Sequence, residues 1–179
     1  MLKTKIAVFV SGGGTNFEAL INAQENGKIP HGEIVLMVSS SKTAYALKRA
    51  ENHGIKSVVC SKKELGSQEK FEEEILKNLE ENDIQLIVLA GFMSILSNEF
   101  TKKYENRIIN IHPSLIPSFC GEGFYGLHVH EAALKKGVKV TGATVHIVNE
   151  IPDGGPIIMQ KAVYIEENDT PEILQKRVM

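Results

Sequence analysis

Short apolar runs rich in Val and Ile alternate along the chain with stretches in which apolar residues recur at three- and four-residue spacing. Residues 5–10, 34–38, 56–60, 86–90 and 107–111 are runs of the first kind. Each is short and bounded by turn residues, so they read as strands buried on both faces. Between them the helical period runs over 15–26 closed by Gly27, over 43–53 closed by Gly54, over 68–82, and over 98–104 behind a Ser97 cap. Gly and Asn at such ends are helix stop signals. This alternation predicts a parallel, doubly wound sheet with right-handed crossovers.

After His112 the pattern changes. Residues 113–127 form a loop rich in Gly, Pro and aromatics, followed by a short helix over 129–136. Two strands, 140–148 and 156–165, then read as an antiparallel pair joined across 149–155. Asp169-Thr170-Pro171-Glu172 supplies a cap, a proline in the first turn and an acidic residue, which opens a last helix. The expected fold is α/β: a Rossmann-like, doubly wound, mostly parallel sheet with an antiparallel C-terminal extension. It forms one domain, 1–179, with a phosphate-binding half over 1–111 and a second half over 112–179.

Composition narrows the function. A chain of 179 residues, 42% of them hydrophobic, suits one soluble core-forming domain. Twenty Lys and Arg against 22 Asp and Glu give a net charge of −2, which removes the basic excess that nucleic-acid binding needs. Two cysteines make no disulfide framework and suit a reducing compartment. The apolar stretch 6–10 is too short for a signal-peptide core, and the run 86–96 falls short of the ~18 residues of a membrane span. A cytoplasmic protein with no membrane partner is expected.

Three motifs carry candidate chemistry. Ser11-Gly12-Gly13-Gly14-Thr15-Asn16 joins the first strand to the first helix, where glycines admit close approach and a helix N-terminus attracts anions. No Lys follows as in a Walker loop, and Phe17 stands where a dinucleotide fingerprint has Gly or Ala. The loop therefore reads as a phosphomonoester site, with a merely tight turn as the plainer alternative. In Asn110-Ile111-His112-Pro113 the strand period puts Asn110 and His112 on one side at the carboxyl end of the fifth strand, where open α/β sheets bind ligands. Pro152-Asp153-Gly154-Gly155-Pro156 is a turn signal, and topology can return Asp153 to His112, whose pKa a carboxylate would raise.

Other residues read more plainly. Cys120, His128 and His130 lack zinc-ligand spacing, so no metal is expected. His146, alternating with Thr144 and Val148, reads as a buried, hydrogen-bonded structural histidine. The acidic run over 69–74 reads as a solvated helix face, and Phe92-Met93-Ser94-Ile95-Leu96 as core or as the wall of a slot for a flat ring.

SGGGTN after the first strand, LAGFMSIL after the fourth, NIHPSLIPSF after the fifth and DGGPII near the end resemble the phosphoribosylglycinamide formyltransferases, folate-dependent enzymes of purine synthesis. The resemblance implies the formyltransferase fold and transfer of a formyl group from 10-formyltetrahydrofolate, as co-substrate, to glycinamide ribonucleotide. It implies that Gly12, Gly13, Gly14, Thr15 and Asn16 hold the ribonucleotide. Gln68, Met93, Ser94, Ile95, Leu96, Asn110, Glu150 and Asp153 would meet the folate. The resemblance also implies that 112–179 is the folate and catalytic half. Asn110, His112 and Asp153 match the catalytic trio. The only partners implied are small molecules, to a monomer or a homodimer, without nucleic acid.

The sequence departs from the family in three places. Ser94 and Gln68 stand where family members often carry Arg, which weakens side-chain recognition of the folate tail but leaves backbone contacts to the pterin. The insertion 120–125 suggests a mobile lip over the site. The last helix is expected to be cut short, without the further polar residues that bind the ribonucleotide. Rival readings are a 10-formyltetrahydrofolate hydrolase, a formyltransferase acting on initiator tRNA, for which 179 residues at −2 leave no room, and a non-catalytic nucleotide-binding module.

Overall fold

The apolar runs become strands and the periodic stretches helices. The computed structural model describes residues 2–179. In chain order the elements are β1 (Thr4–Val10), α1 (Thr15–Glu25), β2 (Gly32–Ser39), α2 (Ala46–Asn52), β3 (Lys56–Val59), α3 (Lys62–Leu65), α4 (Gln68–Glu81), β4 (Leu86–Leu89), α5 (Asn98–Lys103), β5 (Ile108–His112), α6 (Leu127–Lys136), β6 (Val140–Ile147), β7 (Ile157–Tyr164) and α7 (Pro171–Val178). The strands follow the order β3-β2-β1-β4-β5-β6-β7. Residues group into two compact units, one ending at Ile108 and the other running Ile109–Met179, whereas the pattern along the chain divides it at 111/112.

In the first unit β1 pairs in parallel with β2 and β4, and β2 with β3. Both faces of β1 are covered, which is why its sequence is continuously apolar rather than alternating. Ile6, Val8 and Val10 pack with Phe17 and Ile21 of α1 and with Ala46 and Ala50 of α2. Phe9, from the other face, meets Phe92 edge-on at 5.1 Å and Phe100 at 6.5 Å, and Phe92 stacks on Phe71 of α4 at 6.5 Å. The fully buried side chains among these, such as Phe9, Phe17, Phe71 and Phe100, contribute roughly 1.5–3 kcal/mol each. The same packing fixes the chain that leaves β4.

Two elements differ from the sequence pattern. α2 begins at Ala46 rather than 43, because Ser39, Ser41 and Thr43 tie their hydroxyls into a local turn and the Ala46 N–H goes to Gly12 O instead of into a helix. α3 is a single turn too short to leave a period in the sequence.

In the second unit β5 pairs antiparallel with β6, and β6 with β7. β7 is exposed along nearly its whole length. α7 starts as its sequence predicts: Thr170 accepts the Ile173 N–H, Pro171 fills the first turn, and Leu174 is buried. Arg177 then returns both terminal nitrogens to Asp169, at 2.5 and 2.6 Å. Among the described residues no helix is long and apolar enough to cross a membrane.

Candidate active site

The glycine loop after β1 is open in front and tied down behind. A Cβ on Gly12 or Gly13 would meet nothing within 4 Å, whereas one on Gly14 would lie 2.7 Å from the Ala46 Cβ. Gly14 also holds φ +71 at the start of α1, a conformation side chains disfavour. So Gly14 is required by packing, and Gly12 and Gly13 leave space for a guest. Behind the loop Arg49 Nε donates to Gly13 O at 2.8 Å while its Nη1 pairs with Glu18 at 3.0 Å. Hydrogen bonding to Arg49 is the main reason the Glu18 carboxyl is held below its ordinary value.

The strap after β4 is bonded to the same loop. Ser11 N donates to Gly91 O at 3.1 Å, and Met93 N donates to Ser11 Oγ at 2.8 Å. Phe92 turns inward onto the aromatic cluster, leaving Met93 and Ile95 exposed, Ile95 at 80%. The far end of the strap is fastened by Glu72, whose two oxygens accept from Ser97 N and Ser97 Oγ, each at 2.6 Å. Gln68 Nε2 donates to Ile95 O at 3.0 Å and to Glu72. Within the acidic run Glu72 is thus buried in the fold, while Glu69 and Glu73 stay solvated, and Gln68 braces the strap's backbone. Neither role leaves a signal in the sequence, because each is a partnership between distant segments.

In the second unit the structure brings Asn110, His112 and Asp153 together. Asn110 and His112 are two apart on β5, and antiparallel pairing sets His146 opposite Asn110 and Thr144 opposite His112. Asp153 sits in the turn between β6 and β7 at φ +54, a left-handed conformation that Asp tolerates better than most residues. Gly155 makes this return possible, since a Cβ there would strike Ile147 O. His112 Nδ1 lies 3.3 Å from Asp153 Oδ2, and Gly121 N donates to the same oxygen at 2.9 Å. Asp153 Oδ1 lies 3.4 Å from His146 Nε2 and 3.5 Å from Asn110 Nδ2. Burial alone would push the Asp153 carboxyl up, but the hydrogen bond from Gly121 N–H and the charge of His112 work against it, and the group is held below the usual carboxylate range.

The His-Pro-Ser turn after β5 is held by one hydroxyl. Thr144 Oγ1 donates to Ser114 O at 2.7 Å and accepts from Ile116 N at 3.1 Å and Gln160 Nε2 at 2.9 Å. Ser114 Oγ donates to Ser118 O at 2.6 Å. The turn carries Phe119 to His112, whose Nε2 donates to the Phe119 carbonyl at 2.8 Å. The insertion at 120–125 therefore reaches the cluster through backbone, by the Gly121 N–H. His146 is buried and bonded as its pattern indicates, but its partners belong to the cluster.

Elsewhere, His128 is exposed beside Glu131 at 3.0 Å, and Cys120 Sγ donates to Pro117 O. His130 is fully buried with neither ring nitrogen bonded, and burial, then the charge of His112, holds its pKa below the ordinary value. Glu150 is exposed.

An α/β sheet with a glycine loop after its first strand and polar side chains at the carboxyl end of a later one is of the open-sheet class, in which ligands bind at the carboxyl ends of the strands. The formyl transferase pattern matches residues 4–179, and the chain belongs to that family. It is 47% identical over 98% of its length to the trifunctional purine biosynthetic protein adenosine-3 of Gallus gallus, of which it spans 17%. It is 40% identical over 97% of its length to the phosphoribosylglycinamide formyltransferase of Bacillus subtilis, of which it spans 86%. The crystal structure of the enzyme of that name from Bacillus halodurans matches 98% of the chain and 87% of its own, with a TM-score of 0.90 at 42% identity.

Proposed function

We propose that this chain transfers the formyl group of 10-formyltetrahydrofolate to the amine of 5-phosphoribosylglycinamide, giving formylglycinamide ribonucleotide and tetrahydrofolate in purine synthesis. The observation that carries this reading is the joining of Asn110, His112 and Asp153 within 3.5 Å contacts in a member of the formyl transferase family.

An amine attacking the formyl carbon turns the formyl oxygen into an oxyanion, and donors already aimed at that oxygen supply the largest catalytic effect. Asn110 offers an uncharged N–H. His112 has Nδ1 against Asp153, so Nε2 is the nitrogen left to act; the Phe119 oxygen that now accepts from it marks where an acceptor can stand. As the tetrahedral intermediate collapses, the C–N bond to the folate breaks. His112 gives its proton to the departing folate nitrogen, and the proton lost by the attacking amine restores it. Asp153 orients the imidazole throughout.

In this reading Gly12, Gly13, Gly14, Thr15 and Asn16 hold the ribonucleotide phosphate, supported by the open space before Gly12 and Gly13. Met93, Ser94, Ile95 and Leu96, with Glu150, Asn110 and Asp153, meet the folate, and Gln68 serves it through the strap. The first half binds phosphate and the second carries the chemistry, within one formyltransferase domain. The partners are two small molecules, and the compartment is the cytoplasm.

The test is absorbance detection of folate product with and without glycinamide ribonucleotide. Turnover only with the amine is expected, and the His112→Ala protein should lose about 10²–10⁴-fold in kcat. Turnover without the amine would make the chain a hydrolase, and wild-type transfer by His112→Ala would overturn the mechanism.

A further inference from the structure

His146 is 1% exposed and touches two members of the trio. Its Nδ1 lies 2.9 Å from Ile147 O, and a carbonyl only accepts, so Nδ1 carries the proton. Nε2 then has a lone pair in the neutral ring, and it lies 3.2 Å from Asn110 Nδ2. The same Nε2 is 3.4 Å from Asp153 Oδ1, a contact only a doubly protonated ring would make as a hydrogen bond. The Asn110 contact is the shorter, and the other Asp153 oxygen already has Gly121 N–H and His112 Nδ1. The neutral, Nδ1-protonated ring fits these distances.

That tautomer decides the orientation of a neighbour. A side-chain amide has two ends of nearly equal shape, and only its hydrogen-bond partners select which faces where. With Asn110 reversed, its Oδ1 would face the Nε2 lone pair of His146 and the Asp153 carboxylate, two acceptors at once. With Nδ2 inward, one N–H is taken by His146 at 3.2 Å, and the second rests on Asp153 Oδ1 at 3.5 Å, a long contact from which a developing oxyanion can draw it. Oxyanion stabilisation requires a donor held before the charge develops. Antiparallel pairing of Asn110 with His146 builds this constraint into the sheet itself.

We infer that His146 is a positioning residue for the transfer: through Nε2 it locks the Asn110 amide with its nitrogen toward the reacting centre. This rests on the formyl-transfer reading, and its test has one arm independent of it. Nitrogen-15 NMR of the His146 imidazole in the full chain reads the tautomer without any turnover. Protonated Nδ1 and bare Nε2 are expected; a proton on Nε2 overturns the inference whatever the activity.

The second arm is a double-mutant cycle with the assay above. His146→Phe should lower kcat about 10–100-fold while both KM values stay within about twofold. In an Asn110→Ala background the same substitution should cost less than about twofold more, because nothing is left to orient. His146→Gln, which can accept through its amide oxygen, should recover most of the loss. Equal losses in both backgrounds, or no recovery by Gln in a folded protein, would show a merely structural histidine. If His146→Phe does not fold, the Gln variant and the NMR arm decide. Absence of transfer by the wild-type chain would instead count against the proposed function.

Discussion

Asp153 has four polar neighbours on its two oxygens, and its carboxyl is held below the ordinary range. Its folded pKa lies below the ordinary carboxylate value near 3.9, so the stability it contributes is present above that value and is lost as pH falls through the folded pKa. An Asp153→Asn protein lacks this titration. Its unfolding midpoint in urea should fall less steeply than that of the wild type between about pH 5 and pH 2, and a parallel decline would contradict the assignment. The cluster's membership was legible in part. Asn110 and His112 follow from a period of two, and Asp153 from a turn. His146 carries the same alternation as any core strand residue, and only the β5–β6 register reveals its partner. Phe119 and Gly121 act through backbone, which no side-chain pattern announces.

At the level of elements, the glycine loop is where local conformation and packing coincide. Gly14 is held by both its positive φ and the nearby Ala46 Cβ, while Gly12 and Gly13 are held by neither. Gly14→Ala should therefore destabilise the chain by about 1–3 kcal/mol in urea unfolding. Gly13→Ala should change stability by less than about 1 kcal/mol; under the proposed function its cost falls on ribonucleotide affinity instead. Equal destabilisation by the two would show that the loop is uniformly strained. Helix ends were read well from sequence where a side chain caps them, as Ser97 and Thr170 do. They were read poorly at α2, whose start is set by a hydrogen bond to Gly12, 34 residues distant in the chain by their numbers.

Across the molecule, the order of apolar and periodic segments was enough to forecast a parallel sheet with an antiparallel end, because strands covered on both faces and strands joined by short turns leave different patterns. The division at Ile108 was not legible, since β5 reads as one uninterrupted strand. Loop-to-loop fastenings such as Ser11 with Met93 were also hidden, because they join segments 82 residues apart. Thr144 has a consequence of another kind. Its hydroxyl makes one bond as donor and two as acceptor, the full capacity of the group, at a fully buried site. The position is thus nearly closed to variation. Val copies its shape and leaves Ser114 O and Ile116 N without this partner, while exposed Gln160 keeps Ile116 O and solvent, so Thr144→Val should cost about 2–3 kcal/mol in urea unfolding, whereas Thr144→Ser should cost about 1. Most of β7 faces solvent and leaves room for change outside Gln160, but at this one buried position descendants of the sequence can spell little besides Thr and Ser.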